Sequence, residues 1–393
     1  MHQNRTENFI ELTSDYVHSL TVELLIEHFD LVVCGHKFTT SDIWNVVVAA
    51  SVQGQAIEST ANQLEDAPDS STVRYYLRTQ LVNTMTLAAI ERTCNQALVD
   101  KLPERLIGKQ HQVAIDLTFI PYHGIAASDP NEICRSQAKS GTTHFHCYAT
   151  AYVIKHNKRV TLAVIYVQAE ETLTQVLFRL LSRLSDIQVG IKRLYLDKQF
   201  YTVEVIRWFD EQYPLMSVII PAIIRGKQGG TRALLVGPAS YLTHYTMVSP
   251  KHGKASFDVA VVRKYSKGRY SRHGVYWFIY VLLGPVRLPL HQIYDAYRRR
   301  FGIESTYRLM NQVRARTSSR RPELRLLFVG IALCLINIWV YLKWTYLGKP
   351  RQGGRNVHQS LFRLAMFRQF LLEAIKAIYG AVQSIKPPWV TLP

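Results

Sequence analysis

The run from about His111 to Ile223 permits few folds. HQVAIDLTFIPYHG, TTHFHCYATAYVIKH and KRVTLAVIYVQ are extended stretches rich in β-branched and aromatic residues, separated by turn or polar residues. ETLTQVLFRLLSRLSD then places apolar residues at helical spacing, IKRLYLD reads as a strand, QFYTVEVIRWFDEQY as a helix and SVIIPAI as a strand. Three strands followed by helix, strand, helix and strand is a mixed α/β order, which predicts one sheet with helices packed against it.

The flanks have different textures. Before His111 the apolar residues of VELLIEHFDLVV, IWNVVVAASVQG and LVNTMTLAAIERTCNQALVDKL recur at helical spacing, with Thr39, Thr40 and Ser41 as N-cap candidates. EDAPDSSTVRYYLRTQ reads as a turn and a capped helix bearing Arg74, Tyr75, Tyr76 and Arg78. It fits the second helix of a helix-turn-helix presenting Arg74 and Arg78 to DNA, and it fits equally an ordinary amphipathic helix. From Arg225 to Leu283 the texture is Gly-rich, basic and extended (TRALLVG, YLTHYTMVS, FDVAVVRKY, VYWFIYVLL), which predicts an inserted β subdomain. After Pro289 the chain is helical again, and the tail from Gly348 is basic, then helical. The expected divisions are a helical segment over 1–108, an α/β core over 109–224 and 285–347, a β-rich insertion over 225–284, and a basic, helical tail over 348–393.

Charge narrows the partner. The 47 Lys and Arg against 29 Asp and Glu give a formal charge of +18, which favours a polyanion, nucleic acid being the commonest. Five scattered cysteines without a CxxC pair fit a reducing compartment, and the first residues lack the pattern of a secretory signal, so a cytoplasmic protein is expected. Leu326 to Leu342 carries no charge but falls short of a full span and contains Asn337. It reads as a buried core helix rather than a membrane segment.

Three carboxylates stand out. Asp116 sits inside an apolar strand, where a lone ionised carboxylate needs a partner or a metal. Asp197 ends the strand IKRLYLD, a place where ligands collect in open α/β sheets and where Asp also serves as a plain helix cap. Glu304 follows Tyr297 and Arg300 at spacings that, on one continuous helix, put all three and Asn311 on one face. Two strands and a helix supplying one carboxylate each suit two divalent ions, Mg²⁺ or Mn²⁺, in phosphoryl transfer. The residues His123, Cys134, His144, His146 and Cys147 have no standard zinc spacing, and RGKQGG lacks the ending of a phosphate loop and reads as a flexible basic turn.

These motifs resemble the DDE transposases of prokaryotic insertion sequences, in particular the cut-and-paste class whose last motif is Tyr-x₂-Arg-x₃-Glu-x₆-Lys. Here it reads YRRRFGIESTYRLMN, with Tyr297, Arg300 and Glu304 in place and Asn311 where the pattern has Lys. AIDLTFIPYHG and YLDKQFY are similar to the two aspartate motifs, and the resemblance runs from about His111 to Trp344. It implies a ribonuclease H-like mixed sheet flanked by helices, with a β-rich insertion before the Glu. Catalysis and metal binding are implied for Asp116, Asp197 and Glu304. Double-stranded DNA with terminal inverted repeats, together with a target DNA, is the implied substrate, and a homodimer joining two ends is the implied assembly. Tyr297 and Arg300 are expected on phosphates, and Arg308 or Arg314 takes over from the absent Lys. Trp277 is a candidate for base stacking, or else a core Trp. The alternatives are an inactive DNA-binding descendant of a transposase and a nuclease without strand transfer.

Overall fold

The computed structural model describes residues 11–103, 106–154, 160–227, 229–267, 273–351, 354–358 and 360–385. In chain order the helices α1 (Ser14–His28), α2 (Thr40–Gln53), α3 (Ile57–Ala61), α4 (Ser70–Tyr76) and α5 (Leu87–Asp100) come first, with a π-helical turn at Leu77–Val82 between the last two. Then follow β1 (Gln110–Pro121), β2 (Cys134–Lys139), β3 (Thr142–Val153), β4 (Thr161–Val167), α6 (Leu173–Asp186), β5 (Gly190–Leu196), α7 (Val203–Gln212) and β6 (Val218–Pro221). A long meander of β7 (Tyr241–Ser249), β8 (Gly253–Lys267) and β9 (His273–Leu283) leads to α8 (Leu290–Arg298), a 3₁₀ turn at Arg299–Phe301 and α9 (Gly302–Gln312). The chain continues with α10 (Pro322–Tyr346), the hairpin β10 (Gly348–Arg351) and β11 (Gly354–Val357), and α11 (Leu364–Tyr379). Two compact units result, one from residues up to Leu102 together with those from Arg308 onward, the other Pro103–Tyr307; the division falls inside α9.

The helical unit is built around α10. The apolar run predicted as a core helix is one: 89% of its most apolar window is buried, and the Asn337 amide donates to the Leu98 carbonyl at 3.0 Å. α10 packs on α5, and the last helix α11 packs on α1 and α2. Residues 308–347, expected to finish the α/β core, therefore belong to the helical unit. The reason is apolar: α10 is buried almost all round, and α5 and α2 supply the apolar faces that cover it. Thr39 is the N-cap of α2, in a capping box with Asp42, while Arg74 on α4 and Arg78 in the π turn are exposed.

The second unit is one nine-stranded sheet in the order β2-β3-β1-β5-β6-β9-β8-β7, with β4 also on β3. β1 is antiparallel to β3 and parallel to β5, and β5 is parallel to β6, as the α/β order requires. The segment expected as a separate insertion extends this sheet, because β9 pairs with β6 from Val218↔Leu283 to Pro221↔Tyr280. TRALLVG, expected as extended, is instead a 3₁₀ turn at Gly230–Leu234. The long helix expected over Tyr297–Asn311 is broken at Arg299–Phe301, so Tyr297, Arg300 and Glu304 lie on three successive elements rather than on one face.

Candidate active site

The register of β1 against β5 sets the site. Ile115 pairs with Leu196 on parallel strands, so the next residue on each is an aspartate: Asp116 within β1 and Asp197 just past β5. Ala114 and Ile115 are fully buried and Asp116 nearly so, at 8% exposure. A carboxylate in that setting must be compensated. One compensating group is Arg300, itself only 3% exposed, whose guanidinium donates to Asp116 Oδ2 at 3.2 Å and Asp197 Oδ1 at 3.0 Å. Burial works against the charge on Arg300, but Tyr297, Asp116 and Asp197 together outweigh it and hold the group above its usual value.

The break between α8 and α9 delivers Arg300 to that position. The Tyr152 hydroxyl, on β3, donates to the Arg300 carbonyl, fixing the 3₁₀ turn to the sheet. On the α8 side the Tyr297 hydroxyl donates to the Leu196 carbonyl at 3.0 Å, one residue before Asp197. On the α9 side the Tyr307 hydroxyl donates to the Asp116 carbonyl at 2.9 Å and meets Thr150 Oγ1 at 2.7 Å. Burial pushes both the Tyr297 and the Tyr307 phenols well up, so both stay protonated donors. Tyr152, Thr150 and Tyr307 were not singled out in the sequence. Their one legible signal is Tyr307 falling one turn after Glu304 in ESTYR. Position 304 is on α9, one turn before the Tyr307 that touches β1; the Glu304 side chain lies outside the described residues.

Tyr297 and Arg300, expected on phosphates, hydrogen-bond the protein's own Leu196 carbonyl and the Asp116 and Asp197 carboxylates. Beside Asp197 is a cavity of about 470 Å³ whose walls include Lys198, Trp277, Tyr280, Tyr294 and Arg298. Trp277 is half-buried in this wall, with the Arg263 guanidinium 5.8 Å from its ring centre. It is thus a cavity residue on β9 rather than a wholly buried core Trp. Arg308 and Asn311 are exposed on the last turns of α9, and Arg314 is buried and donates to Asn311 Oδ1 at 3.3 Å. These three fall in the helical unit, as do Arg74 and Arg78, which line a different cavity with Arg321. His146 is fully buried with Nδ1 2.9 Å from the Tyr166 hydroxyl, and Cys134 Sγ reaches the Val167 carbonyl at 3.4 Å; both belong to the sheet's interior.

Two carboxylates held side by side by a bridging cation form a donor set of hard oxygens, which fits a divalent ion that prefers oxygen. With this geometry in hand, comparison with protein families is decisive. The family model described as a transposase DDE domain matches residues 108–338. The chain belongs to that family. This DDE transposase also shares its fold with a solved piggyBac transposase, in a synaptic complex with hairpin DNA, at 10% identity and a TM-score of 0.50. The match covers 94% of this chain and 78% of that one. A search of curated proteins gives no match. The ribonuclease H-like α/β fold expected from the sequence is the fold observed, and membership places the enzyme in DNA transposition.

Proposed function

We propose that this DDE transposase cleaves DNA at the ends of a mobile element and joins the freed 3′ ends to a target, in a cut-and-paste reaction. The observation that carries the reading is the pairing of Ile115 with Leu196, which sets Asp116 and Asp197 on neighbouring strands, both within reach of one buried guanidinium. In the first step water attacks a phosphodiester at the transposon end, the bond to the 3′ oxygen breaks, and a 3′-hydroxyl is left. In the second, that hydroxyl attacks a phosphodiester of the target, and the target strand's 3′ oxygen leaves.

Asp116, Asp197 and Glu304 would hold two Mg²⁺ or Mn²⁺ ions, which supply charge for the attacking and leaving oxygens. Arg300 aligns the first two carboxylates, and Tyr307 ties α9, the helix of Glu304, to the strand of Asp116. The cavity beside Asp197, with Trp277 in its wall, has room and aromatic surface for an unstacked nucleotide. The substrate is double-stranded DNA with terminal inverted repeats, and the working assembly is a homodimer that holds two ends.

The test uses labelled duplexes taken from the DNA flanking the gene, incubated with Mg²⁺ or Mn²⁺. The expected result is cleavage at the repeat boundary and joined products, both lost with chelator and with Asp197→Ala. Tight binding without cleavage in either metal would leave a DNA-binding descendant. Cleavage without joined products would leave a nuclease.

A further inference from the structure

In RGKQGGTR, expected as a flexible basic turn, the residues on either side of position 228, which lies outside the described residues, are joined by hydrogen bonds. The turn follows β6, and Ile224, the residue before it, lines the cavity that holds Asp197. Thr231, only 4% exposed, closes the loop. Its hydroxyl donates to the Ile223 carbonyl at 2.7 Å and accepts from the Arg225 amide at 2.8 Å. Arg232 closes it a second time, its amide donating to the Arg225 carbonyl at 3.1 Å and its Nε to the Gly226 carbonyl at 2.6 Å.

The glycines are demanded by this closure. Gly226 has φ +97°, and a Cβ there would stand 2.1 Å from the Gly229 carbonyl oxygen. Gly230 has φ +63°, and its Cβ would meet the Arg225 carbonyl oxygen at 2.9 Å. A side chain at either position would open the loop.

What the closure displays is charge. Arg225, Lys227 and Arg232 are exposed, and among the described residues none of the three is paired with a carboxylate. Lys198 and Arg298 stand on the walls of the adjoining cavity. The hydrogen bonds of Thr231 and Arg232 pre-organise the backbone that carries Arg225 and Arg232, which lowers the cost of holding an anion. A nucleotide seated in this cavity would lie against Asp197, and the cations beside it suit the phosphodiester backbone on either side of that nucleotide.

We propose that the Arg225–Arg232 loop is a preformed clamp for the phosphates of the DNA strand that enters the cavity beside Asp197. This rests on the transposase reading above and names the protein surface that holds the strand near the reacting carboxylates.

The contact is electrostatic and independent of sequence, so the test does not need the natural ends. Binding of the full chain to a labelled random-sequence duplex is measured by anisotropy between low and moderate salt. Each phosphate contact removed lowers the slope of log K against log salt by about 0.9. Lys227→Ala is expected to lower the slope by about one contact, and the double variant Arg225→Ala/Lys227→Ala by about two contacts. Lys251→Ala, an equally exposed lysine in the turn between β7 and β8, should leave the slope unchanged. Thr231→Val keeps every charge but unlatches the loop, and should weaken binding several-fold. The exposed lysine variants keep the fold, so they carry the test even if Thr231→Val melts early. Equal slopes for wild type and Lys227→Ala, or an equal drop with Lys251→Ala, would overturn the clamp while leaving cleavage by the wild type intact. Failure of the wild type to bind any DNA would overturn the transposase reading and the clamp together.

Discussion

Replacing Arg300 by Ala removes a cation that the fold uses in place of solvent. Its side chain is 3% exposed and those of Asp116 and Asp197 are 12% and 20% exposed, so Arg300→Ala leaves two adjacent, largely desolvated carboxylates. Removing one partner of a buried ion pair costs about 3–5 kcal/mol, and the partial exposure of Asp197 lets water recover some of that, so about 3 kcal/mol is expected. In a unit of about 200 residues that corresponds to a fall in Tm of roughly 6–12 °C. The assay is a thermal scan followed by near-ultraviolet circular dichroism, in chelator and then with added Mg²⁺. In chelator the variant should melt well below wild type. Mg²⁺ should raise the variant more than wild type, since an ion bound only to the folded state stabilises by about 2.7 kcal/mol at a hundred times its Kd. Arg300→Lys should recover part of the loss, because a point charge cannot bond both carboxylates as the planar fork does. Melting of Arg300→Ala within about 1 °C of wild type in chelator would refute the claim that this guanidinium compensates the pair.

Three further outcomes are expected. Tyr307→Phe strips a hydrogen bond from the Asp116 carbonyl and from Thr150, and should cost about 1–3 kcal/mol in urea unfolding with the m-value unchanged. Burial lowers the Lys343 amine to about 8, so between there and its usual range the unfolded chain binds more protons and the helical unit gains stability as pH rises. Lys343→Met should be more stable than wild type at pH 7, and the gap should close as pH is raised above about 8; a constant gap would contradict this. Trp277→Leu should weaken binding of DNA carrying an unpaired base by about 1–3 kcal/mol and leave fully paired duplex unaffected, read by fluorescence of a base analogue at that position.

The parts of the fold that could be read from the sequence are those set by local pattern. The strands of β1, β3, β4, β5 and β6 and the helices between them follow from periodicity, and the N-cap of α2 is Thr39, one of the three adjacent candidates. The two aspartates were visible because Asp116 interrupts an apolar strand and Asp197 ends one. Non-local pairing was not visible. Nothing in VYWFIYVLL says that β9 will pair with β6 and merge the expected insertion into the main sheet. Polar β2 was missed because CRSQAK has no apolar alternation. The break at Arg299–Phe301 was hidden because its cause is tertiary: the Tyr152 hydroxyl donates to the Arg300 carbonyl, and the Asp116 and Asp197 carboxylates accept from its guanidinium. The closure of the RGKQGGTR turn by Thr231 was not visible, because Thr231 reads in sequence as the start of a strand.

The helical unit is assembled from the two ends of the described chain: the Asn45 amide on α2 donates to the Tyr379 hydroxyl on α11, and α1 and α2 both rest against that last helix. Synthesis runs in one direction, at about 5–20 residues per second, so α1 and α2 leave the ribosome long before the helix that covers them. Throughout that interval their apolar faces await a partner, while the strands of the sheet unit can already pair. A message cut short before α11 would therefore yield a chain with its carboxylates in register and its helical unit unfinished. The helical unit therefore reaches its complete fold only once α11 has been translated.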